Sequence, residues 1–106
     1  MKIVLQGIVT VGATAVRLSA DADVLNTKVK SIVFVSDDNA AANPNSDTAR
    51  ICLGNSDVTD ADAPFLRKGG VFELPIVVDN KLQHKIGDFY AIATAVGQKL
   101  TWWALD

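Results

Sequence analysis

The chain has 106 residues, of which 49% are apolar and 21% charged; this is typical of one globular domain and excludes a disordered or low-complexity class. A formal net charge of −2 gives no general attraction to nucleic acid or to an anionic membrane surface. No apolar run approaches the ~20 residues of a membrane-spanning helix. We therefore expect a single domain over residues 1–106 with neither nucleic acid nor membrane as a partner.

Short runs of β-branched and aromatic residues alternate with Gly, Pro, Asn and Asp, which is the pattern of strands joined by turns. Gly7 is expected to cause a bulge or bend in the first strand, and Pro75 indicates an edge strand or a bulge. Residues 82–86 are expected to form one helical turn. The predicted strands cover residues 2–11, 13–19, 28–36, 48–54, 71–78 and the two arms of 89–105. About seven or eight short strands with little helix predict an all-β fold, an antiparallel β-sandwich that is jelly-roll-like or immunoglobulin-like.

Two irregular stretches separate these strands. Residues 37–47 form a long polar loop, and loops of that length in a compact domain are usually functional or mobile. Residues 55–70 contain Phe65 and Leu66, two large apolar side chains in a connection with polar ends. These two side chains either close the core or project toward a neighbouring molecule.

The C-terminal stretch 89–105 is the most apolar part of the chain, with a turn predicted at residues 97–99. Adjacent residues of a strand point to opposite faces, so Trp102 and Trp103 must diverge. Leu105 shares the face of Trp103. One face can line a core, but the other needs a cover that so small a domain does not supply, which indicates a partner surface.

Residues suited to catalysis are few. Cys52 is the only cysteine and His84 the only histidine, so a nucleophile–base–orienter set has too few candidates. Cys52 is interpreted as a small buried residue of a strand and His84 as a solvated surface residue. We therefore expect no enzyme activity, no catalytic or cofactor-binding residues and no cofactor.

Two charged groups could bind ions. Asp57, Asp60 and Asp62 place carboxylates on one loop, as calcium sites do, but their spacing misses the calcium-loop pattern and no bidentate Glu follows. Arg67 and Lys68 precede two glycines, yet no helix N-terminus follows to hold a phosphate. A solvated acidic loop and a charged turn are the simpler interpretations, and no metal site is predicted.

The chain resembles the small β-sandwich virion proteins of tailed bacteriophages, in particular those that decorate or cement the capsid. The segments that carry the resemblance are VTV at 9–11, AVRLS at 15–19, SIVFV at 31–35, ICLGNSDV at 51–58, FL at 65–66 with GG at 69–70, FYAIA at 89–93 and GQKL at 97–100. They cover nearly the whole chain as an arrangement of short pieces. The chain departs from the pattern in its 39–47 loop and in the pair Trp102–Trp103.

The resemblance implies a non-enzymatic structural protein, made in the host cytoplasm and carried on the surface of the phage particle. Its partners would be the major capsid protein or another virion protein, and copies of itself, with a trimer favoured. Phe65, Leu66, Trp103 and Leu105 are the residues expected to face a partner. The alternative is a carbohydrate- or receptor-binding module of a phage tail, with Trp103 and Tyr90 as stacking platforms.

Overall fold

The computed structural model describes residues 2–36, 45–46, 48–61, 64–76 and 83–106. Their elements, in chain order, are β1 (Ile3–Val11), β2 (Val16–Arg17), α1 (Ala22–Leu25), β3 (Lys28–Val29), β4 (Ser31–Ser36), β5 (Ile51–Gly54), β6 (Phe65–Leu66), β7 (Val71–Glu73), β8 (His84–Lys85), a 3₁₀ turn (Ile86–Asp88), β9 (Tyr90–Ala93) and β10 (Gln98–Leu105). Nearly all regular structure is β, as the sequence predicts.

Two four-stranded antiparallel sheets face each other across one core. The first sheet has the order β1-β10-β4-β7 and the second the order β2-β9-β5-β6, while β3 and β8 form a separate pair. Inward side chains of both sheets meet in a single apolar cluster that includes Ile32, Phe34, Ile51, Ala91 and Leu100. The predicted antiparallel sandwich is thereby confirmed.

The two arms of the C-terminal stretch enter different sheets. β9 lies in the second sheet and β10 in the first, and residues 94–97 carry the chain between them, with Gly97 in the left-handed region at φ +74°. Along β10 buried and half-buried residues alternate strictly. This is the predicted division of the strand, because successive side chains point to opposite faces. β10 pairs with both β1 and β4, so it forms the centre of the first sheet.

The predicted strand over residues 28–36 is broken at Lys30. Its first part, β3, pairs with β8, and its second part, β4, pairs with β10. Of the strand predicted over 71–78, the described part ends at Glu73, two residues before Pro75, and residues 77–78 lie outside the described ranges. β7 lies at the sheet edge, one of the two placements that this proline indicated. The helical turn expected over 82–86 instead starts at Ile86 as a 3₁₀ turn, and residue 82 lies outside the described part of the chain.

Helix α1 replaces the loop expected before β3. Asp21 is its N-cap, since the Asp21 side chain accepts a hydrogen bond from the N–H of Asp23 at 2.9 Å. Leu25 is its buried residue. The helix is a single turn long, which is too short to produce a helical periodicity in the sequence.

Trp102 joins the two halves of the core. Its ring is 2% exposed, and Nε1 donates to the carbonyl oxygen of Leu18 at 3.1 Å. Gly7 lies opposite Trp102 on β1, and a Cβ at Gly7 would come within 2.9 Å of Nε1. The bulge expected at Gly7 is therefore misplaced: the register shift lies between Ile3 and Leu5, and Gly7 provides room for the indole.

Asn45 extends the first sheet beyond the end of β4. Its side-chain amide donates to the Lys99 carbonyl oxygen at 2.8 Å and to Ser36 Oγ at 2.9 Å, and its Oδ1 accepts from the Lys99 N–H at 2.6 Å. The neighbouring Ser46 N–H donates to Gln98 Oε1 at 2.9 Å. Asn45 is buried, so its amide does for Lys99 what a neighbouring strand would do.

Candidate interaction surface

The outward side of the first sheet, hereafter the outer face, carries an apolar band. One row across the four strands reads Ile8, Thr101, Val35, Val71, and the adjacent row reads Gln6, Trp103, Val33, Glu73. Each row follows from the strand register, because residues directly opposite in an antiparallel sheet share a face. Five of the eight side chains in the two rows are apolar.

Both ends of the first row are open to solvent. Ile8 is 67% exposed and Val71 is 61% exposed, while Trp103, Val33 and Val35 between and beside them are half-buried by their neighbours. Glu73 supplies the only charge in these two rows. Strands of an antiparallel sandwich normally turn polar residues to water on this side, so the band is suited to burial against another surface.

The outer face has a depression beside Trp103. It measures about 320 Å³ and is lined by Gln6, Gly7, Ile8, Thr101 and Trp103. A depression of this size next to an aromatic ring suits a single large apolar side chain of a partner, the usual arrangement at an interface hot spot.

The four residues expected to face a partner are divided by the structure. Trp103 and Leu105 lie on the outer face, half-buried. Phe65 is 43% exposed on β6, in the second sheet, where the Arg50 guanidinium lies 5.3 Å from the centre of its ring. Phe65 therefore belongs to the opposite side of the sandwich. These residues do not form one continuous patch.

The prediction that Leu66 faces a partner is wrong. Leu66 is only 5% exposed and packs in the core, so it offers no surface to a partner. The reason is the alternation that also separates the two tryptophans: Leu66 pairs with Ile51 of the core, and Phe65 pairs with Cys52 on the other face.

Tyr90 lies in the second sheet, away from Trp103. Its hydroxyl accepts a hydrogen bond from Arg17 Nε at 2.7 Å. A cleft of about 430 Å³ beside it is lined mainly by polar side chains, namely Arg17, Asn26, Asn55, Ser56, Lys85 and Asp88, together with Leu25 and Gly87. Because Tyr90 and Trp103 occupy different sheets, their rings do not form a shared stacking platform.

Neither Cys52 nor His84 is fully open to solvent. Cys52 is 1% exposed on β5, as predicted from its place in an apolar run. His84 was expected to be solvated, but it is half-buried: Nε2 lies 2.9 Å from the Pro75 carbonyl oxygen, and the ring makes an edge contact with Phe89. The strand pair β3–β8, which the sequence did not predict, holds His84 in that position.

The acidic loop is described only in part. Asp57 and Asp60 are exposed, and Asp62 lies outside the described residues. The Asp57 N–H donates to Asn55 Oδ1 at 2.9 Å, which forms an Asx turn. Across the described ranges, no group of three His, Cys, Asp or Glu residues is placed to hold a metal ion. Arg67 and Gly70 form a turn in which the Gly70 N–H donates to the Arg67 carbonyl oxygen at 2.7 Å.

Ile8 and Val71 are residues of the outer face that the sequence did not single out. Period-2 alternation placed each of them in a strand, but it could not show which strands become neighbours. The register brings Ile8 beside Thr101 and Val71 beside Val35, residues that are far from them in the chain. The available signal was Ile8 itself, an apolar residue on one face of a strand whose other face is also apolar.

In the part of the chain that the structure describes, no helix has the length and apolar character to cross a membrane. Comparisons of the chain with protein-family models, with curated proteins and with solved structures gave no match.

Proposed function

We propose that this protein is a non-enzymatic virion structural protein, of the type that decorates or cements a phage head by bridging shell subunits. It would be made in the host cytoplasm and act on the particle surface in many copies. The observation that carries the assembly role is the apolar band on the outer face, centred on Trp103. The placement on a phage particle rests on the resemblance of the sequence.

The assembly role is favoured by the free energy gained when a partner covers the apolar band. Burial of apolar surface stabilises association by roughly 25 cal/mol per Å², and a specific interface typically buries about 800 Å² per partner. The outer face has a central Trp, apolar neighbours and a polar rim formed by Gln6, Glu73 and Lys99. This is the usual order of an interface, apolar at the centre and polar at the edge. Repetition over a shell adds avidity to a modest single contact.

Co-sedimentation with empty heads of the phage that encodes this chain tests the proposal. The native protein is expected to bind heads saturably and to raise their melting temperature, and Trp103→Ser is expected to weaken binding at least tenfold. Phe65→Ser is the matched control, because it removes an exposed aromatic ring from the opposite sheet. Absence of binding by the native protein, or equal loss in the two variants, would contradict the proposal.

The alternative role, a carbohydrate-binding module of a phage tail, has one observation in its favour. The cleft beside Tyr90 combines an aromatic ring with amide, hydroxyl and charged side chains, the groups that recognise sugars. A glycan array distinguishes the two roles. Saturable binding lost in Tyr90→Ala but kept in Trp103→Ser would favour the tail module over the head protein.

A further inference from the structure

β1 is an edge of the first sheet, and no described residue pairs with its outer side. It has nine residues, whereas β7, at the other edge of the first sheet, has three and is followed by Pro75. The edge strands of the second sheet, β2 and β6, have two residues each. Short strands, prolines and charges normally prevent an edge from pairing with other chains. Between Ile3 and Val11 there is no charged residue and no proline.

Within the described ranges, the backbone of β1 has hydrogen-bonding groups along this edge that no other strand uses. Lys2 and Asp106 exchange two backbone hydrogen bonds, at 3.3 and 3.1 Å. Counting back from Asp106, every second residue of β10 therefore directs its N–H and C=O toward β1. The residues of β1 opposite them form the hydrogen bonds of this strand pair. The remaining residues, Gln6, Ile8 and Thr10, direct theirs away from the sheet, and their side chains lie on the outer face.

We propose that β1 pairs with β1 of a second copy of this chain, antiparallel, about a two-fold axis at Ile8. This register joins Ile8 to Ile8 and Gln6 to Thr10, so that apolar meets apolar and polar meets polar. A shift of one register step, by two residues, would set Ile8 against Gln6. The Nζ of Lys99, which donates to Thr10 Oγ1 at 2.7 Å, then lies close to the Gln6 side chain of the second copy, a neutral acceptor.

The inner side of the same edge also favours a second strand. A cleft of about 560 Å³ opens between β1 and the segment around β2, and its lining is largely apolar, with Leu5, Val9, Val16, Leu18, Val24 and Trp102 among its residues. The proposed register sets Val9 of the second copy opposite Gly7, over this opening. Pairing therefore covers free backbone groups and half-buried apolar side chains together.

The pair would form one continuous eight-stranded sheet, with the two outer faces side by side. The contact between two copies is inferred independently of the assembly role proposed above. Only the use of the enlarged face for binding a shell rests on that role. Because the strand pairs with itself, the interface is closed and two-fold. The expected oligomer is a dimer, not the trimer favoured by the resemblance.

Disulfide trapping tests the contact directly. In Ile8→Cys the two introduced residues face each other as a hydrogen-bonded pair, about 5.5 Å apart between Cα atoms, within the range that a disulfide spans. Thr10→Cys is the matched control, since the two-fold separates the two Thr10 positions. A mixture of Gln6→Cys and Thr10→Cys chains should link again. Native Cys52 is 1% exposed, so it does not react in the folded chain, and denaturation in an excess of alkylating reagent caps it before it can exchange with the new disulfide.

We expect at least ten times more linked dimer for Ile8→Cys than for Thr10→Cys, and a light-scattering mass twice the 11.3 kDa of the chain. Ile8→Lys should give a folded monomer, while Thr101→Lys, a charge on the same face of the central strand, should stay dimeric. Equal trapping in both cysteine variants, or a monomer or trimer mass, would overturn the inference. These measurements use no phage heads, so a dimer that fails to bind heads would contradict only the proposed function.

Discussion

Replacement of Gly7 by alanine is expected to destabilise the fold through Trp102. The added Cβ would lie 2.9 Å from Nε1 and 3.0 Å from Cε2 and Cζ2 of the indole, against the ~3.5–4.0 Å of relaxed carbon contacts. The ring must move by about half an ångström, yet it is buried and bonded to the Leu18 carbonyl oxygen at 3.1 Å.

The size of the effect follows from opposing terms. Overpacking a core costs about 1–3 kcal/mol, and a weakened hydrogen bond adds up to ~1 kcal/mol. Loss of glycine entropy in the unfolded chain offsets about 0.4–1 kcal/mol. We expect Gly7→Ala to lower the free energy of unfolding by about 1–3 kcal/mol, which corresponds to a decrease of roughly 4–20 °C in melting temperature.

Urea titration followed by tryptophan fluorescence measures this change. Gly12→Ala is the matched control, because its Cβ would meet Val96 at 3.7–4.0 Å, an ordinary contact, and its free energy should change by no more than ~1 kcal/mol, toward stabilisation. In a Trp102→Phe background, the smaller ring should reduce the cost of Gly7→Ala. If Gly7→Ala is as stable as the native protein, or its cost is unchanged beside Phe, the packing argument fails.

Three further outcomes follow from the structure. Trp102→Ala should cost about 3–5 kcal/mol of stability, whereas Trp103→Ser, on the half-exposed face, should cost less than ~2 kcal/mol; equal losses in urea titration would mean that the two rings are not on opposite faces. Asn45→Ala should cost about 2–4 kcal/mol, because the partly buried N–H and C=O groups of Lys99 lose their partner; hydrogen exchange at the Lys99 amide should rise in parallel, and an unchanged rate would count against this bond. Cys52 should react with a thiol reagent only after denaturation, because it is 1% exposed; rapid reaction of the native chain would contradict its burial.

The sequence predicts those features that depend on one strand at a time. Alternation along residues 98–105 was sufficient to place Trp102 and Trp103 on opposite faces, since a strand has only two faces. Pro75 limited its strand to a sheet edge or a bulge, and β7 lies at an edge. Both predictions rest on local geometry that a neighbouring strand cannot change.

The remaining features depend on which strands become neighbours. Phe65 and Leu66 were treated as one apolar pair, but their pairing with β5 places only Leu66 in the core. Asn45 was expected in the long polar loop 37–47, and its role is set by Lys99, 54 residues away. Strands of two residues, such as β2 and β8, are too short to show alternation. Contacts between distant parts of the chain decide all three cases.

The central place of β10 also sets the order of events when the protein is made. β1 and β4 leave the ribosome long before the strand that separates them in the first sheet. Translation adds about 5–20 residues per second, so both strands remain for seconds with their apolar side chains and edges unpaired. Pairing between segments so far apart in sequence is slow. Nascent chains are thus most exposed to aggregation just before the last eight-residue strand emerges, and a chaperone that shields β1 during that interval would raise the yield of folded protein.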